Sequence, residues 1–155
     1  MLEPPPLATR LVCRVDAQLG EVQEIGQLAA GRRRVVPIAG GRLEGPLLRG
    51  EIVPGGADWQ LLAADGTAQI EARYTVRADD GGLVLVHSRG VRSGPPAVMA
   101  RLLAGEIVDP AEYYFRTLVT LESGSPAHGW VNGRLFVAVA VRLPDGVVYD
   151  LHELL

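Results

Sequence analysis

No lysine occurs among the 155 residues; all 15 basic side chains are arginine. A coding bias toward GC-rich genes accounts for this most simply. It nevertheless excludes Schiff-base catalysis by a lysine and any phosphate loop built on one. Cysteine is nearly absent: Cys13 stands alone and can form no internal disulfide, which fits a reducing, cytoplasmic setting. Aromatic residues make up only 5%. No stretch approaches the roughly 18 apolar residues of a membrane-spanning helix. The opening Met1-Leu2-Glu3-Pro4-Pro5-Pro6 is acidic and proline-rich, without the apolar run of an export signal. Net charge is −3, so the clustered positive charge of a nucleic-acid binder is missing as well.

Metal and nucleophile signatures are equally scarce. His87, His128 and His152 are widely separated, with no H-x-H, H-E-x-x-H or C-x-x-C spacing, so neither metal nor cofactor is expected. No serine lies in G-x-S-x-G, and Cys13, among Leu11, Val12 and Val15, reads as a buried, inert thiol. The glycine-rich run Ala39 to Pro46 lacks a lysine and a following helix, so it reads as a turn. Arg32-Arg33-Arg34 reads as a solvated strand edge.

What is present is alternation. Apolar residues make up 48%, enough for one core in one domain over 1–155, with 1–8 as a flexible lead. In Ile70 to Arg77 apolar and polar residues alternate strictly, the mark of a half-buried strand. Asp79-Asp80-Gly81-Gly82 turns the chain into a second strand from Leu83 to Ser88. Further strands are expected at Arg10–Val15, Arg33–Ile38, Leu47–Val53, Asp58–Ala63, Phe115–Leu121, Arg134–Leu143 and Val147–Leu151. Nine or ten such strands with Gly and Pro turns predict an all-β antiparallel sandwich or barrel. One short helix, Ala97 to Ala104, interrupts them, introduced by Pro95-Pro96 and stopped by Gly105. Asp109-Pro110-Ala111-Glu112 carries an N-cap, a proline and an acid in helix-start order. Val137 to Val141 is apolar on both faces, so a second subunit is expected against one of them, giving a homo-oligomer.

Two strand faces concentrate charge: Glu71, Arg73, Thr75 and Arg77 on one, Arg116, Leu118, Thr120 and Glu122 on another. In the simpler account both face solvent, where cross-strand ion pairs contribute well under about 1 kcal/mol. In the sharper one the barrel is inverted and these side chains line a polar pocket. Arginine presents a planar fork to carboxylate or enolate oxygens, and a buried carboxyl is tuned for proton transfer.

Several strings shift the balance: Ile38-Ala39-Gly40-Gly41, Glu44-Gly45-Pro46 and, most specific, Pro54-Gly55-Gly56-Ala57-Asp58-Trp59. Ala72-Arg73-Tyr74, Gly90-Val91-Arg92, Tyr113-Tyr114-Phe115-Arg116-Thr117, Leu121-Glu122 and Trp130-Val131-Asn132 continue the pattern. Over nearly its whole length the chain resembles the bacterial domain-of-unknown-function family numbered 3237. The resemblance implies a single antiparallel lipocalin-like or calycin-like barrel, often homo-oligomeric, with room for one small ligand.

The function expected from this is binding of a small, partly anionic or aromatic metabolite by Arg73, Arg116, Trp59 and Trp130. The alternative is a metal-free, cofactor-free isomerase, lyase or cyclase with a carboxylate–arginine pair, its acid or base drawn from Glu122, Glu71, Asp58 and His87. A purely structural assembly protein is the third class. Strand parity adds a geometric expectation: Arg73 and Arg116 enter one cavity near Glu122, while Tyr74 points away.

Overall fold

The computed structural model describes residues 1–155. Nine strands form: β1 (Thr9–Leu19), β2 (Gln23–Leu28), β3 (Gly31–Glu44), β4 (Gly50–Leu62), β5 (Ala68–Ala78), β6 (Leu83–Ser93), β7 (Tyr114–Glu122), β8 (Phe136–Leu143) and β9 (Gly146–Leu154). All pair antiparallel in the order β1-β9-β8-β7-β6-β5-β4-β3, and β3 returns to β1, closing an eight-stranded barrel. β2 lies outside the ring, paired to the first half of β3, while β1 takes the second half. Closure removes every free edge except that of β2.

Two departures from the expected strands have a common cause. Leu47–Val53 and Asp58–Ala63 belong to one strand, β4, and β3 runs straight through Gly40-Gly41 where a turn was expected. In both places glycines are absorbed by bulges. The β4–β5 register shifts between Val53 and Ala57, and the β3–β4 register between Ile38 and Arg42. Gly55, at φ +121°, supplies backbone that side-chain-bearing residues rarely adopt. β2 has no counterpart in the expected set because Gln23-Glu24-Ile25-Gly26-Gln27-Leu28 lacks alternation.

The single α-helix, α1 (Pro96–Leu103), forms as expected, with Pro96 in its first turn. Its end is a Schellman motif: Gly105, at φ +83°, donates to the Leu102 carbonyl and Glu106 N–H to that of Arg101. Val98, Met99 and Leu102 form its buried face. A Cβ on Gly66, in the β4–β5 turn, would stand 2.6 Å from Met99 Cβ, so a bare glycine lets the helix close over that end of the barrel. Pro110–Glu112 makes a 3-10 turn whose Asp109 carboxylate accepts from Ala111 N–H. A second 3-10 turn, Gly129–Gly133, covers the opposite end.

The strands' inward phase, joined by Val98, Met99 and Leu102 of α1 and by a few loop residues, builds one core of 30 buried residues to which every strand except β2 contributes. Away from α1 that core is solid: Leu43, Val76, Val84, Val119, Val131 and Phe136 are all but fully buried. Cys13 is buried beside them, and burial, with the Asp150 charge adding, pushes its thiol up to about 12. This thiol is held in its unreactive form.

Candidate functional site

Beneath α1 the core gives way to a cavity of about 90 Å³. Its walls come from the strand ends that meet there: Arg34, Val36 and Ile38 of β3, Asp58 and Gln60 of β4, Ile70, Ala72 and Tyr74 of β5. Ser88 and Arg92 of β6, Phe115 and Thr117 of β7, and Ala140 and Arg142 of β8 complete the ring with β9 and β1, and Leu102 and Leu103 of α1 roof it. A more open hollow of about 350 Å³ between α1 and the β4–β5 turn shares Arg92 and Leu103 with it.

Three arginines and one carboxylate occupy this space, and their pairing is unequal. Arg92 is only 5% exposed, and no carboxylate lies within ion-pair distance of it; its guanidinium carbon sits 5.6 Å from the Phe115 ring centre. Burial lowers its pKa to about 10, with Arg142 adding to the drop, so it remains charged at neutral pH. Arg142 also lacks a carboxylate partner; it donates to the carbonyls of Leu143 and Gly146, and burial, with the Arg34 charge adding, lowers its pKa. Arg34 Nε lies 3.2 Å from Glu24 on β2, outside the cavity, misaligned for a hydrogen bond. Burial outweighs that partner and lowers the Arg34 pKa too.

Asp58 is the one acidic residue in the lining. Glu71 N–H donates to Oδ1 at 3.0 Å and the Gln60 amide to Oδ2 at 3.1 Å. Burial raises its pKa against the opposing pull of those two donors and of Arg92 and Arg34. Ser88 donates to Thr117 across the floor at 2.8 Å. Three buried polar atoms of the lining residues, Arg34 Nε, Arg92 Nε and the Tyr74 hydroxyl, have no hydrogen-bond partner, a costly condition in an otherwise apolar interior. Burial also raises the Tyr74 pKa, so the phenol keeps its proton.

Of the candidate catalytic and binding residues, Asp58 alone reaches the cavity. Arg73, 60% exposed, stands on the outer wall 3.7 Å from Glu71, and Tyr74 points inward. The expected inversion of the barrel does not hold, because Ile70, Ala72, Tyr74 and Val76 form the apolar phase of β5 and claim the interior. Arg116 likewise lies outside, its guanidinium 5.0 Å from the exposed Tyr114 ring. Glu122 is exposed near the far end, paired in register with Leu85, and makes no ion pair. Trp59 is an outer-wall residue, and Trp130 packs edge-on against Phe136 at the solid end. Glu71 and His87 bond each other on the outer wall at 2.5 Å, with Arg89 2.9 Å from the same carboxylate. Burial would raise the Glu71 pKa, but the His87 bond and the charges of His87, Arg89 and Arg73 lower it. His128 pairs with Asp80, and His152 faces outward on β9, so the three histidines do not converge.

Arg34, expected with Arg32 and Arg33 on a solvated strand edge, is instead only 12% exposed and lines the cavity, because its place on β3 shares the inward phase of Val36 and Ile38. Arg92, Arg142 and Gln60 are absent from the candidates read from the sequence, yet the sequence carries their signal. Arg92 continues the inward phase of Val84, Val86 and Ser88, and Arg142 that of Phe136, Ala138 and Ala140. Polar residues in phase with a core are the mark of a lined cavity.

The family model described as a protein of unknown function, DUF3237, matches residues 7–154. A UPF0311 protein of Rhodopseudomonas palustris strain TIE-1 is 38% identical over 151 residues, covering 97% of this chain and 99% of that one. The crystal structure of a β-barrel-like protein from Acinetobacter baumannii superposes with a TM-score of 0.89 at 37% identity, covering 100% of both chains. An enzyme from Penicillium herquei aligns with a TM-score of 0.70 at 18% identity, over 97% of this chain and 98% of its own. At that identity the likeness is one of fold.

Proposed function

The chain belongs to the DUF3237 family, a barrel family of unknown function, and from that premise we propose that the barrel binds a small molecule carrying an anionic group on an apolar, partly aromatic body. The observation that carries this reading is the pair of cavity arginines, Arg92 and Arg142, with no carboxylate within ion-pair distance. Burying a charge without a partner is strongly unfavourable, and an anionic ligand removes the imbalance while filling the Arg92 Nε and Tyr74 hydroxyl valences. Phe115, Val36, Ile70 and Tyr149 supply the apolar walls for the rest of the molecule. Ligand entry runs through the hollow beside α1, where Arg92 borders both spaces.

The same reading extends to assembly and setting. Leu118, Leu135, Leu85 and Val139 are exposed on the outside of β6–β8, an apolar surface suited to a second copy of the chain. No helix is long and apolar enough to cross a membrane. The lone, buried Cys13 accords with a cytoplasmic protein.

Benzoate and its neutral analogue benzamide test the binding reading. Benzoate should raise the melting temperature and benzamide should not, and Arg92→Gln should abolish the difference. Equal shifts from both compounds, or a benzoate shift that survives in Arg92→Gln, would overturn it.

A further inference from the structure

Resting on the binding reading, we propose that the cavity catalyses keto–enol proton transfer on small 2-oxo acids, with Asp58 as the base. Arg92 and Arg142 hold the carboxylate and the developing enolate oxygen.

Four features of the cavity converge on this chemistry. Asp58 is the only carboxylate in the lining, and no arginine lies close enough to it to form an ion pair. Its two fixed donors, Glu71 N–H and the Gln60 amide, orient it and occupy two of its four lone-pair positions, leaving others free to take a proton. The neighbouring Val36, Ile70, Ala72 and Phe115 give the carboxylate an apolar setting that favours its protonated form, which strengthens it as a base and accords with its raised pKa. Cationic groups outnumber the carboxylate three to one, so the site is electrostatically suited to a ligand that enters as an anion and gains negative charge on oxygen as it reacts. The Tyr74 hydroxyl, buried, protonated and unpartnered, is a further donor for that oxygen.

A 2-oxo acid supplies both halves of the match. Its carboxylate is the anion, and its C3–H is acidic because the C2 carbonyl accepts the electron pair. In the step, the C3–H bond breaks and its proton passes to Asp58. The released pair forms the C2–C3 double bond, and the carbonyl π pair moves to oxygen as the enolate. Protonation at oxygen gives the enol; return of a proton to C3 regenerates the ketone. No oxidant, reductant or second substrate enters the balance.

The test uses phenylpyruvate and the full-length protein in deuterium oxide. Proton NMR reads loss of the C3–H signal, and the melting temperature reads binding in parallel. The protein should accelerate exchange above the buffer rate. Asp58→Asn, nearly identical in shape, should keep the melting shift and lose about a hundredfold of the protein-dependent exchange. A phenylpyruvate shift with exchange at the buffer rate, or exchange undiminished in Asp58→Asn, overturns the catalytic proposal and leaves the binding reading standing. A barrel that answers to benzoate but not to phenylpyruvate overturns the substrate class. Absence of any carboxylate-dependent shift removes the binding reading and this proposal together. Should Asp58→Asn fail to fold, the wild-type rate must rise with pH through one acid titration and be suppressed by benzoate. A rate flat in pH, or one indifferent to benzoate, counts against Asp58 as the base.

Discussion

The two ends of the barrel are built by the same strands and obey opposite rules. At the end covered by Gly129–Gly133, Phe136, Val84, Val119 and Leu43 interlock, and the one charge brought inside is matched. Glu153, 1% exposed, lies 2.5 Å from Arg10 and 3.3 Å from Arg134. At the end covered by α1, three arginines and a carboxylate line open space, and two of the arginines lack a carboxylate partner. One end is arranged for stability; the other accepts a local deficit that a ligand can relieve.

The sharpest way to break this comparison is to cut the solid end. Phe136→Ala should cost about 3–5 kcal/mol, read by urea or thermal unfolding, because the closed ring cannot collapse into the space left. A loss below about 1 kcal/mol would mean that the packed end does not carry the fold. Glu153→Gln should cost less, about 1–3 kcal/mol, since both of its arginine partners are half exposed and retain water.

The hollow end should answer with the opposite sign. Arg92→Met removes an uncompensated buried charge, so unfolding free energy should rise by about 1–2 kcal/mol even as benzoate binding is lost. Destabilisation of comparable size would show that Arg92 holds the apo barrel together through the Phe115 face alone.

A smaller effect comes from Asp58. Its folded pKa lies above the unfolded value, so the native state binds the proton more tightly and stability attributable to this residue falls as pH rises between the two values. The difference between wild type and Asp58→Asn, followed by thermal unfolding from pH 4 upward, should show that downward slope and flatten above the native pKa. The smallest effects belong to the outer wall. Arg73→Ala and Arg116→Ala should each change stability by less than about 0.5 kcal/mol and leave the benzoate shift intact.

The contrast also explains what the sequence made legible. Alternation marks strands well, because half-burial repeats every two residues, and β5, β6 and α1 were readable from period and punctuation. Alternation does not say which phase faces in when each strand has a polar face and an apolar face. The charged phase of β5 carries the side chains that chemistry would need, yet Tyr74 and its apolar partners fill the interior. The informative residues were the charged exceptions within the apolar phase, Arg34, Asp58, Arg92 and Arg142, which meet beneath α1. Asp58 is one of four acid or base candidates, expected at the start of a strand of its own; the Pro54-Gly55-Gly56 stretch before it proves to be a bulge inside one long strand.

Ring closure has a consequence for how such a chain can change in length. In an open sheet an inserted residue can be passed outward, each strand sliding on its neighbour until the edge absorbs the mismatch. Here every barrel strand is held on both sides, and the offsets summed around eight strands must return to their starting value. A single extra residue therefore has nowhere to travel and must be taken up where it arises. The irregularities at Val53–Ala57, Ile38–Arg42 and Leu11–Cys13 are the fold's way of storing such local surplus. By the same geometry an added residue is expected to sit in a turn or as a new bulge, leaving the inward phase of every other strand with its count unchanged.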